Sequence, residues 1–299
     1  MRRPKLKRKQ AGVYNPVSRN IKQPVDFLQY PMFIPARKPG RKYLYEDDDR
    51  SVTVRVPKEV AIQNPDGFID GTYTISGLPM SYDMNIFYAF MSRVQNVKPN
   101  VWTAEFETGQ EILDFIGKKG RMNNAEADRI ADALIKWQGF GIQFDGAFYD
   151  HKTKKRFEDV RRFSIVNHVH MRRTDTGWYF FVDFDRHFMT EILEGLSATV
   201  DLGVFFRLRA PFAKRLFQWL SANMAYQYDT KIGLGKLLDK LGDNTTQKPS
   251  RAKRMINDAI EEINRQRPRN GRRYRVEFDQ RDIAYFTKYT KRKRLPNAA

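Results

Sequence analysis

Apolar residues recur at the spacing of regular secondary structure along most of the chain. The clearest helix is predicted over Ser250–Asn264, where apolar positions follow one another at three- and four-residue steps. These positions are Ala252, Met255, Ile256, Ala259, Ile260 and Ile263. Similar patterns, capping signals and glycine stops predict further helices over 81–94, 108–116, 123–137, 186–194, 211–224 and 233–241.

Short extended runs lie between these helices. Val52, Val54 and Val56 alternate with polar residues, which predicts a strand over Ser51–Pro57. Other strands are predicted over 101–106, 141–148, 162–171, 178–184, 272–278 and 283–290. Thr174–Gly177 is a hairpin turn signal that joins the runs 162–171 and 178–184.

The order of these elements predicts the fold class. Three helices followed by a hairpin form a winged helix, in which the third helix enters a DNA groove and the hairpin, or wing, contacts the backbone. This order occurs twice, so we predict an α+β fold with two tandem winged-helix domains, over 51–195 and 196–299. Residues 1–50 show no sustained period and contain six prolines, which predicts an extended, flexible basic arm.

Composition narrows the class of protein. The 299 residues contain no cysteine, which excludes a disulfide scaffold, a thiolate zinc site and a cysteine nucleophile. No apolar run approaches the roughly 20 residues of a membrane helix, and no apolar segment follows the basic N-terminus as it would in a secretory signal. The sequence therefore predicts a soluble cytoplasmic protein that needs no cofactor.

The net charge of +19 is concentrated at the two ends of the chain. Residues 1–22 carry eight Lys and Arg and no acid, and residues 248–299 carry sixteen against six acids. Two basic ends on a nearly neutral body indicate contact with a polyanion, for which double-stranded DNA is the main candidate. An anionic membrane surface is the alternative, although Met1–Gln10 lacks the bulky apolar face that membrane binding favours.

The strongest candidate for base recognition is the helix over Ser250–Asn264. Its polar face begins with bases and ends with acids, against the preference of the helix dipole. Bases at a helix N-terminus suit a recognition helix, where Arg can read guanine and Asn can read adenine. The predicted contacts are Arg251, Lys253, Arg254 and Asn257, together with Arg272, Arg273 and Arg275 of the following hairpin. The alternative is an ordinary solvated charged face.

The first domain offers a weaker set. Asn124 and Arg129 belong to its third helix, whose acids dilute the charge, and Arg121 lies just before that helix. Arg172 and Arg173 lie beside its hairpin turn. The alternative role for this domain is packing or dimerisation, and the sequence leaves that choice open. Lys291 and Arg292 belong to a basic tail that we expect to contact phosphates without reading sequence.

One group of residues suggests catalysis. His168 and His170 lie two apart on a predicted strand, and Tyr285 and Tyr289 have a Tyr-x-x-Lys motif between them. Together they resemble the metal-binding and nucleophile motifs of rolling-circle nickases. That family places its tyrosine on a helix nearer the histidines, so we expect a protein that is not an enzyme and binds no metal. The chain also lacks a P-loop, G-x-S-x-G and H-E-x-x-H.

Two segments resemble the second winged helix of bacterial plasmid replication initiators. Arg215-Leu-Phe-Gln-Trp-Leu220 is similar to that family's "RLY-E/Q-WL" helix, and Ala259-Ile-Glu-Glu-Ile-Asn264 is similar to the end of its recognition helix. The resemblance covers about residues 205–280. It places Arg251, Lys253, Arg254 and Asn257 where that family reads bases.

The resemblance implies a function. Members of the family bind repeated origin sequences, called iterons, open the duplex locally, and recruit the host initiator and replicative helicase. Their monomers start replication, and their dimers repress their own promoter. A plain transcriptional repressor is the nearest alternative, because autorepression uses the same surface. An RNA-binding protein is disfavoured, because the sequence indicates no exposed aromatic platform.

Overall fold

The computed structural model describes residues 20–35, 40–47, 50–62, 71–95, 102–145, 149–150, 155–156, 160–175, 177–194, 197–243, 248–266 and 271–290. The first elements precede the first of the predicted helices. They are β1 (Asn20–Pro24), α1 (Val25–Gln29), β2 (Lys42–Asp47), β3 (Arg50–Arg55), β4 (Glu59–Ile62) and β5 (Gly71–Thr74). Within the described residues, no helix has the length and apolar character needed to cross a bilayer.

The middle of the chain contains the first winged-helix unit and an insertion within it. Its elements are α2 (Ser81–Gln95), β6 (Thr103–Phe106), α3 (Gly109–Phe115), α4 (Asn124–Gly139), β7 (Gly141–Asp145), β8 (Tyr149–Asp150), β9 (Lys155–Arg156), β10 (Val160–Ser164), β11 (Val166–Thr174), β12 (Gly177–Phe184) and α5 (Arg186–Glu194). Asn123 begins α4 as its N-cap, because its side chain accepts a hydrogen bond from the Glu126 amide at 2.9 Å.

The last third contains the second unit. Its elements are β13 (Ser197–Asp201), α6 (Leu202–Phe205), α7 (Pro211–Asn223), β14 (Asp229–Gly233), α8 (Leu234–Leu241), α9 (Pro249–Arg265), β15 (Arg272–Phe278) and β16 (Ile283–Thr290). Gly242 ends α8 with a left-handed conformation, φ 76°, which glycine adopts without a steric penalty.

Both units have the same strand order. In the first, the sheet order is β11-β12-β6, and in the second it is β15-β16-β14, so the hairpin always pairs with the strand that follows the first helix. All of these pairs are antiparallel. The prediction of an α+β chain with two tandem winged helices is therefore confirmed. The strand β14 had no counterpart in the sequence prediction.

The structure differs from the predicted arm over residues 20–47. β1 pairs with β13 in full register from Asn20↔Asp201 to Pro24↔Ser197. On the other side, the Gln95 side chain of α2 makes two hydrogen bonds of 2.7 Å with the backbone of Lys22. The N-terminal segment thus lies between the two units instead of extending from them. Residues 1–19, the rest of the predicted arm, lie outside the described residues.

The core explains why this segment is held. Phe27 of α1 is fully buried, and its ring lies edge-on to Phe144, Phe163 and Phe188 at centroid distances of 5.1–5.6 Å. β2 extends the same core, since it pairs with β3 and buries Tyr45. These elements are about five residues long, which is too short for a period to be recognised in the sequence.

The insertion in the first unit forms a second sheet. β7 and β10 pair with each other, and β7 also pairs with β3, in the order β10-β7-β3-β2. The single run predicted over Arg162–Met171 is consequently two strands in different sheets, β10 and β11. Ile165 separates them and is fully buried. A local apolar pattern continues through this point, so only the pairing partners distinguish the two strands.

Polar contacts of α7 join the two units. Gln218 donates a hydrogen bond to the hydroxyl of Tyr88 on α2, and both side chains are fully buried. Lys214 Nζ lies 2.7 Å from Asn85 Oδ1, also on α2, and 4.9 Å from the centre of the Phe205 ring. Arg215 and Gln218 belong to the motif that resembles replication initiators. In this structure Gln218 contacts α2 of the first unit, whereas Arg215 donates hydrogen bonds to the Leu28 carbonyl of α1 and to the Lys240 carbonyl of α8.

We expect Lys214 to make stability depend on pH. Burial lowers the pKa of this lysine from 10.5 to about 8, so the unfolded chain binds more protons than the folded one between these values. The free energy of unfolding should therefore rise with pH from about 8 to about 10.5, by on the order of 3 kcal/mol from this group. Lys214→Met removes the titration. Urea unfolding at pH 7, 8.5 and 10 should show wild type gaining stability relative to the variant, and parallel pH profiles would contradict the expectation.

Candidate nucleic-acid interface

Helix α9 presents one apolar and one polar face. Ala252, Ile256 and Ile263 are almost fully buried, and the helix contacts α7, α8 and β15. The opposite face exposes Arg251, Arg254, Asn257, Asp258 and Glu261. Three of the four predicted base-reading residues therefore project from the protein along one line of the helix.

The N-terminus of α9 lacks the groups that usually satisfy a helix start. Lys248 is the N-cap residue and makes no capping hydrogen bond with its side chain, and the first turn contains no acid. Pro249 has no amide hydrogen, and the amides of Arg251 and Ala252 donate to the Lys248 carbonyl, so the positive field at this end comes from the helix dipole and from the basic side chains of Arg251 and Arg254. An anion such as a DNA phosphate suits such a helix end.

Lys253 has a different position from the one predicted. Its Nζ forms an ion pair with Asp282 Oδ1 at 2.5 Å and lies 5.5 Å from the centre of the Phe278 ring. The side chain is therefore directed to the second hairpin and half-buried there. It links the start of α9 to the turn between β15 and β16, and this turn, residues 279–282, is called the wing turn below.

The wing turn is ordered by its own hydrogen bonds. Asp279 Oδ1 accepts from the amides of Arg281 and Ile283 at 2.9 and 2.8 Å, and its Oδ2 accepts from the Tyr285 hydroxyl at 3.1 Å. Above all the Ile283 amide lowers the pKa of Asp279, so the carboxylate stays charged. Asp282 adopts a left-handed conformation with φ 58°, which aspartate tolerates better than most residues.

The three predicted basic residues of this wing lie away from the turn. Arg272 pairs with Thr290 and Arg273 with Tyr289, at the open end of the hairpin. Arg275 forms an ion pair with Glu277 at 2.6 Å. The open end is fixed to the C-terminus of α9, because the Asn264 side chain hydrogen-bonds both the amide and the carbonyl of Tyr274, at 2.9 and 2.7 Å.

The turn itself exposes a cation that the sequence interpretation missed. Arg281 is exposed in the wing turn, close to the N-terminus of α9 through the Lys253–Asp282 ion pair. The antiparallel register decides which basic residues of a hairpin reach its tip. Only the exact turn position, 279–282, would have identified Arg281 from the sequence.

The second motif that resembles replication initiators, Ala259–Asn264, also has a structural role. Within Ala259–Asn264, three apolar residues are buried. Glu262 Oε1 accepts hydrogen bonds from the amides of Arg209 and Ala210, just before α7, and Asn264 holds β15. These contacts position α9 against the segment before α7 and the sheet behind it.

The predicted contact residues of the first unit differ in whether their side chains are free to face DNA or contact other residues of the protein. Arg121 and Asn124 are exposed at the start of α4. Arg129 is engaged within the protein, with its Nη1 3.3 Å from Glu126 Oε1 and its guanidinium 4.5 Å from the centre of the Tyr82 ring. Glu126 also pairs with Lys118, and this contact lowers the pKa of the glutamate.

The first wing exposes its two arginines as predicted. Thr174 pairs with Gly177 at the turn, and Arg172 and Arg173 come directly before it. Their guanidinium carbons lie 4.9 Å from the Tyr179 ring centre and 5.7 Å from the Trp178 ring centre, respectively. The rings support both side chains on a surface that remains open to a phosphate. Lys291 and Arg292 lie outside the described residues.

The residues considered for a nickase are divided between the units. His168 and His170 share the half-exposed face of β11, on either side of the buried Val169. Tyr285 is on β16, where the hydrogen bond to Asp279 raises the pKa of its phenol. Tyr289 lies four residues further along the same strand and pairs with Arg273. No cluster of three metal-ligand side chains occurs among the described residues.

Two winged-helix units in tandem define the class of fold, and a solved structure shares this arrangement. A crystal structure of domains 2 and 3 of RctB, as a selenomethionine derivative, aligns with a TM-score of 0.53 over 89% of this chain and 98% of that chain, at 12% identity. A second crystal structure of RctB domains 2–3 gives a TM-score of 0.48 over 89% and 96%, at 14% identity. The sequence matches no protein-family model and no curated protein sequence.

Proposed function

We propose that this chain is a sequence-specific, double-stranded DNA-binding protein that initiates replication and is not an enzyme. The observation that carries the proposal is the uncapped, basic N-terminus of α9, exposed beside the wing turn. The fold supports it, because the chain is similar in structure to domains 2 and 3 of RctB, and RctB is a replication initiator of Vibrio chromosome II.

In this proposal each side chain has a defined task. Arg254 and Asn257 read base edges in the major groove, as recognition helices do with their N-terminal residues. Arg251, Arg281, Arg172 and Arg173 contact phosphates and set the register of the protein on DNA. The first unit supports binding through its wing more than through α4, since Arg129 is held by Glu126 and Tyr82.

The finer role is that of a plasmid replication initiator. We propose that the protein binds iterons, opens the duplex, and recruits the host initiator and replicative helicase in the bacterial cytoplasm. A monomer–dimer equilibrium would separate initiation from repression of its own promoter. The motif residues Arg215, Gln218, Glu262 and Asn264 support this assignment, because they build the second unit and its contact with the first.

A footprint on DNA flanking the gene tests the proposal. Protection of evenly spaced direct repeats, with opening of an adjacent segment, is the expected result. A single protected palindrome without opening would indicate a plain repressor instead. Magnesium-dependent breaks with protein attached through Tyr285 would overturn the non-enzymatic assignment, and Tyr285→Phe would then abolish the attachment.

Affinity for DNA should fall steeply with salt. The proposed interface contains at least five exposed cations that are available to phosphates, namely Arg121, Arg172, Arg173, Arg251 and Arg281. Five phosphate contacts release enough counterions to weaken binding by about 500-fold between 50 and 200 mM salt. Fluorescence anisotropy on a labelled duplex would measure the slope. An affinity that changes less than about tenfold over this range would contradict a phosphate-dominated interface.

A further inference from the structure

Four arginines surround the last turn of α9, at the end of the helix away from the proposed base contacts. The Arg207 side chain donates a hydrogen bond to the Gln266 carbonyl at 2.7 Å, and the Arg209 amide donates to the Glu262 carboxylate. The other two arginines belong to α9 and β15. All four are exposed, and we call them the distal arginine cluster: Arg207, Arg209, Arg265 and Arg273.

A groove of about 410 Å³ lies between two members of this cluster. Arg265 and Arg273 line it, together with Glu261 and Asn264. The Asn264 amide is engaged by the backbone of Tyr274 on β15. Arg265 Nη2 lies 3.9 Å from Glu261 Oε2, and the two side chains are 72% and 73% exposed, so this ion pair is weak. The groove therefore presents two guanidinium groups to a carboxylate from outside.

The distal arginine cluster has an excess of positive charge. Its four arginines outnumber the two carboxylates of the same turn, Glu261 and Glu262, by two. Glu262 is already engaged, because it accepts hydrogen bonds from the amides of Arg209 and Ala210. The dipole of α9 adds only about half a negative charge at its C-terminus, which does not neutralise the excess.

DNA bound at the other end of α9 does not account for this cluster. The helix has 17 residues and is therefore about 25 Å long. Asp258 and Glu261 are exposed on the polar face that begins with Arg254, between the base contacts and the last turn. Phosphates beside these carboxylates would be repelled, so the contact with the duplex ends near Asn257. The distal arginine cluster is left to another partner.

The first unit has an exposed helix face of the opposite charge. Helix α4 is the third helix of that unit, in the position that α9 has in the second, and it packs against α2, β11 and β4. Its exposed face is formed by Ala125, Asp128 and Asp132 at three- and four-residue steps, and we call it the acid stripe. In a DNA groove these carboxylates would face phosphates. The acid stripe therefore suits a basic partner.

The cations of α4 do not neutralise the acid stripe. Lys136 binds Asp83 at 3.0 Å, and Arg129 is engaged by the contacts described above. Desolvation raises the pKa of Asp132 against the attraction of Lys136, and repulsion from Asp128 adds to the rise. Like charges four residues apart destabilise a helix, so a cation from outside would relieve this repulsion.

The proposed function determines how neighbouring copies meet. Copies bound to direct repeats have the same orientation on DNA, so a contact between neighbours joins two different surfaces. Such a head-to-tail contact needs complementary surfaces on one chain. The acid stripe belongs to the first unit and the distal arginine cluster belongs to the second, so each chain carries both sides.

We propose that the distal arginine cluster of one copy binds the acid stripe of the next copy along the DNA. This inference rests on the proposed function, because it requires direct repeats. In the contact, Asp128 and Asp132 accept charge-assisted hydrogen bonds from the guanidinium groups of Arg265 and Arg273. The occupant of the groove is thus a second copy of this chain, and the contact makes binding to adjacent repeats cooperative.

The test is charge reversal on each side of the contact. Arg265→Glu with Arg273→Glu reverses the groove, Asp128→Lys with Asp132→Lys reverses the acid stripe, and a third variant carries all four substitutions. Dissociation constants are measured on duplexes that contain one repeat, or two adjacent repeats, from the footprint. We expect wild type to fill the second repeat about tenfold more tightly than a single repeat, as a few exposed ion pairs allow.

Either reversal alone should remove the cooperativity, because like charges then face each other, and the variant with all four substitutions should restore it. The ratio of affinities for the two duplexes cancels changes in overall charge. Glu59→Lys with Asp145→Lys reverses two exposed acids outside the acid stripe. This matched control should keep the cooperativity. Insertion of about five base pairs, half a helical turn, between the repeats should abolish it in wild type.

The outcomes separate this inference from the proposed function. Wild type that binds one repeat specifically and two repeats without cooperativity would overturn the contact and leave the function standing. Cooperativity that survives both reversals, or stays lost when all four substitutions are combined, would also overturn the contact. A groove reversal that weakens binding to a single repeat as strongly as Arg254→Ala would make these arginines DNA contacts, against the inference. Failure of wild type to bind repeats at all would overturn both proposals.

Discussion

Arg254→Ala and Asn257→Ala are each expected to weaken binding to the target duplex by about 1–3 kcal/mol, roughly 5- to 150-fold. Both residues are exposed on the polar face of α9, one turn apart and close to its uncapped N-terminus. A bidentate contact to a base edge is lost with either side chain, so discrimination at one base pair should be lost with it. Neither side chain is buried, so the fold should be unaffected.

The measurement is a set of dissociation constants at one salt concentration. The duplexes are the target and its single-base-pair variants. Arg265→Ala is the matched control, because Arg265 is exposed at the other end of the same helix, 3.9 Å from Glu261. If Arg254 reads a base, Arg254→Ala should flatten the base preference at one position, and Arg265→Ala should leave the base preference unchanged. Equal weakening on target and scrambled DNA would instead make Arg254 a phosphate contact.

The second large effect is expected from Arg215→Ala, which should lower the free energy of unfolding by about 3–5 kcal/mol. Arg215 is fully buried, and its two terminal nitrogens donate to the carbonyls of Leu28 on α1 and Lys240 on α8, both at 2.9 Å. Burial lowers the pKa of Arg215 to about 9, so the guanidinium is still charged at pH 7. Its removal leaves two carbonyls without a donor and a cavity under α1.

Urea unfolding measures this loss and separates geometry from charge. Arg215→Lys keeps the positive charge but has one donor group, which cannot span two carbonyls on different helices, so most of the loss should remain. Arg207→Ala is the control. Arg207 also donates to a carbonyl, that of Gln266 at 2.7 Å, but on the exposed surface. We expect Arg207→Ala to lower the free energy of unfolding by less than about 1 kcal/mol. A loss of similar size in Arg215→Ala would contradict a role in joining α1 to the second unit.

Long elements with a strong period were predictable. The apolar positions of α9 and the alternation in β12 determine which faces are buried, because burial of one face follows directly from a helical or strand period. The order of these elements was enough to predict two winged helices. The exposed positions of Arg251, Arg254 and Asn257 follow from the same period, as the residues left on the other face.

The N-terminal segment was not predictable in the same way. β1 meets β13, which is about 177 residues away along the chain, and only this pairing makes a strand of Asn20–Pro24. The apolar side chains of α1 look irregular in sequence because they contact α7 and the insertion from several directions. A local pattern contains no information about such partners.

The sequence by itself determined the fold class, the concentration of charge at the two ends, and the exposed basic face of α9. The tertiary structure alone decided where the individual cations lie. Lys253 turned inward to Asp282, Arg272 and Arg273 were placed at the open end of the wing, and Arg207 was brought to the last turn of α9. The physical reason is that a residue's face follows from the local period, whereas its neighbours follow from strand register and helix packing across long loops.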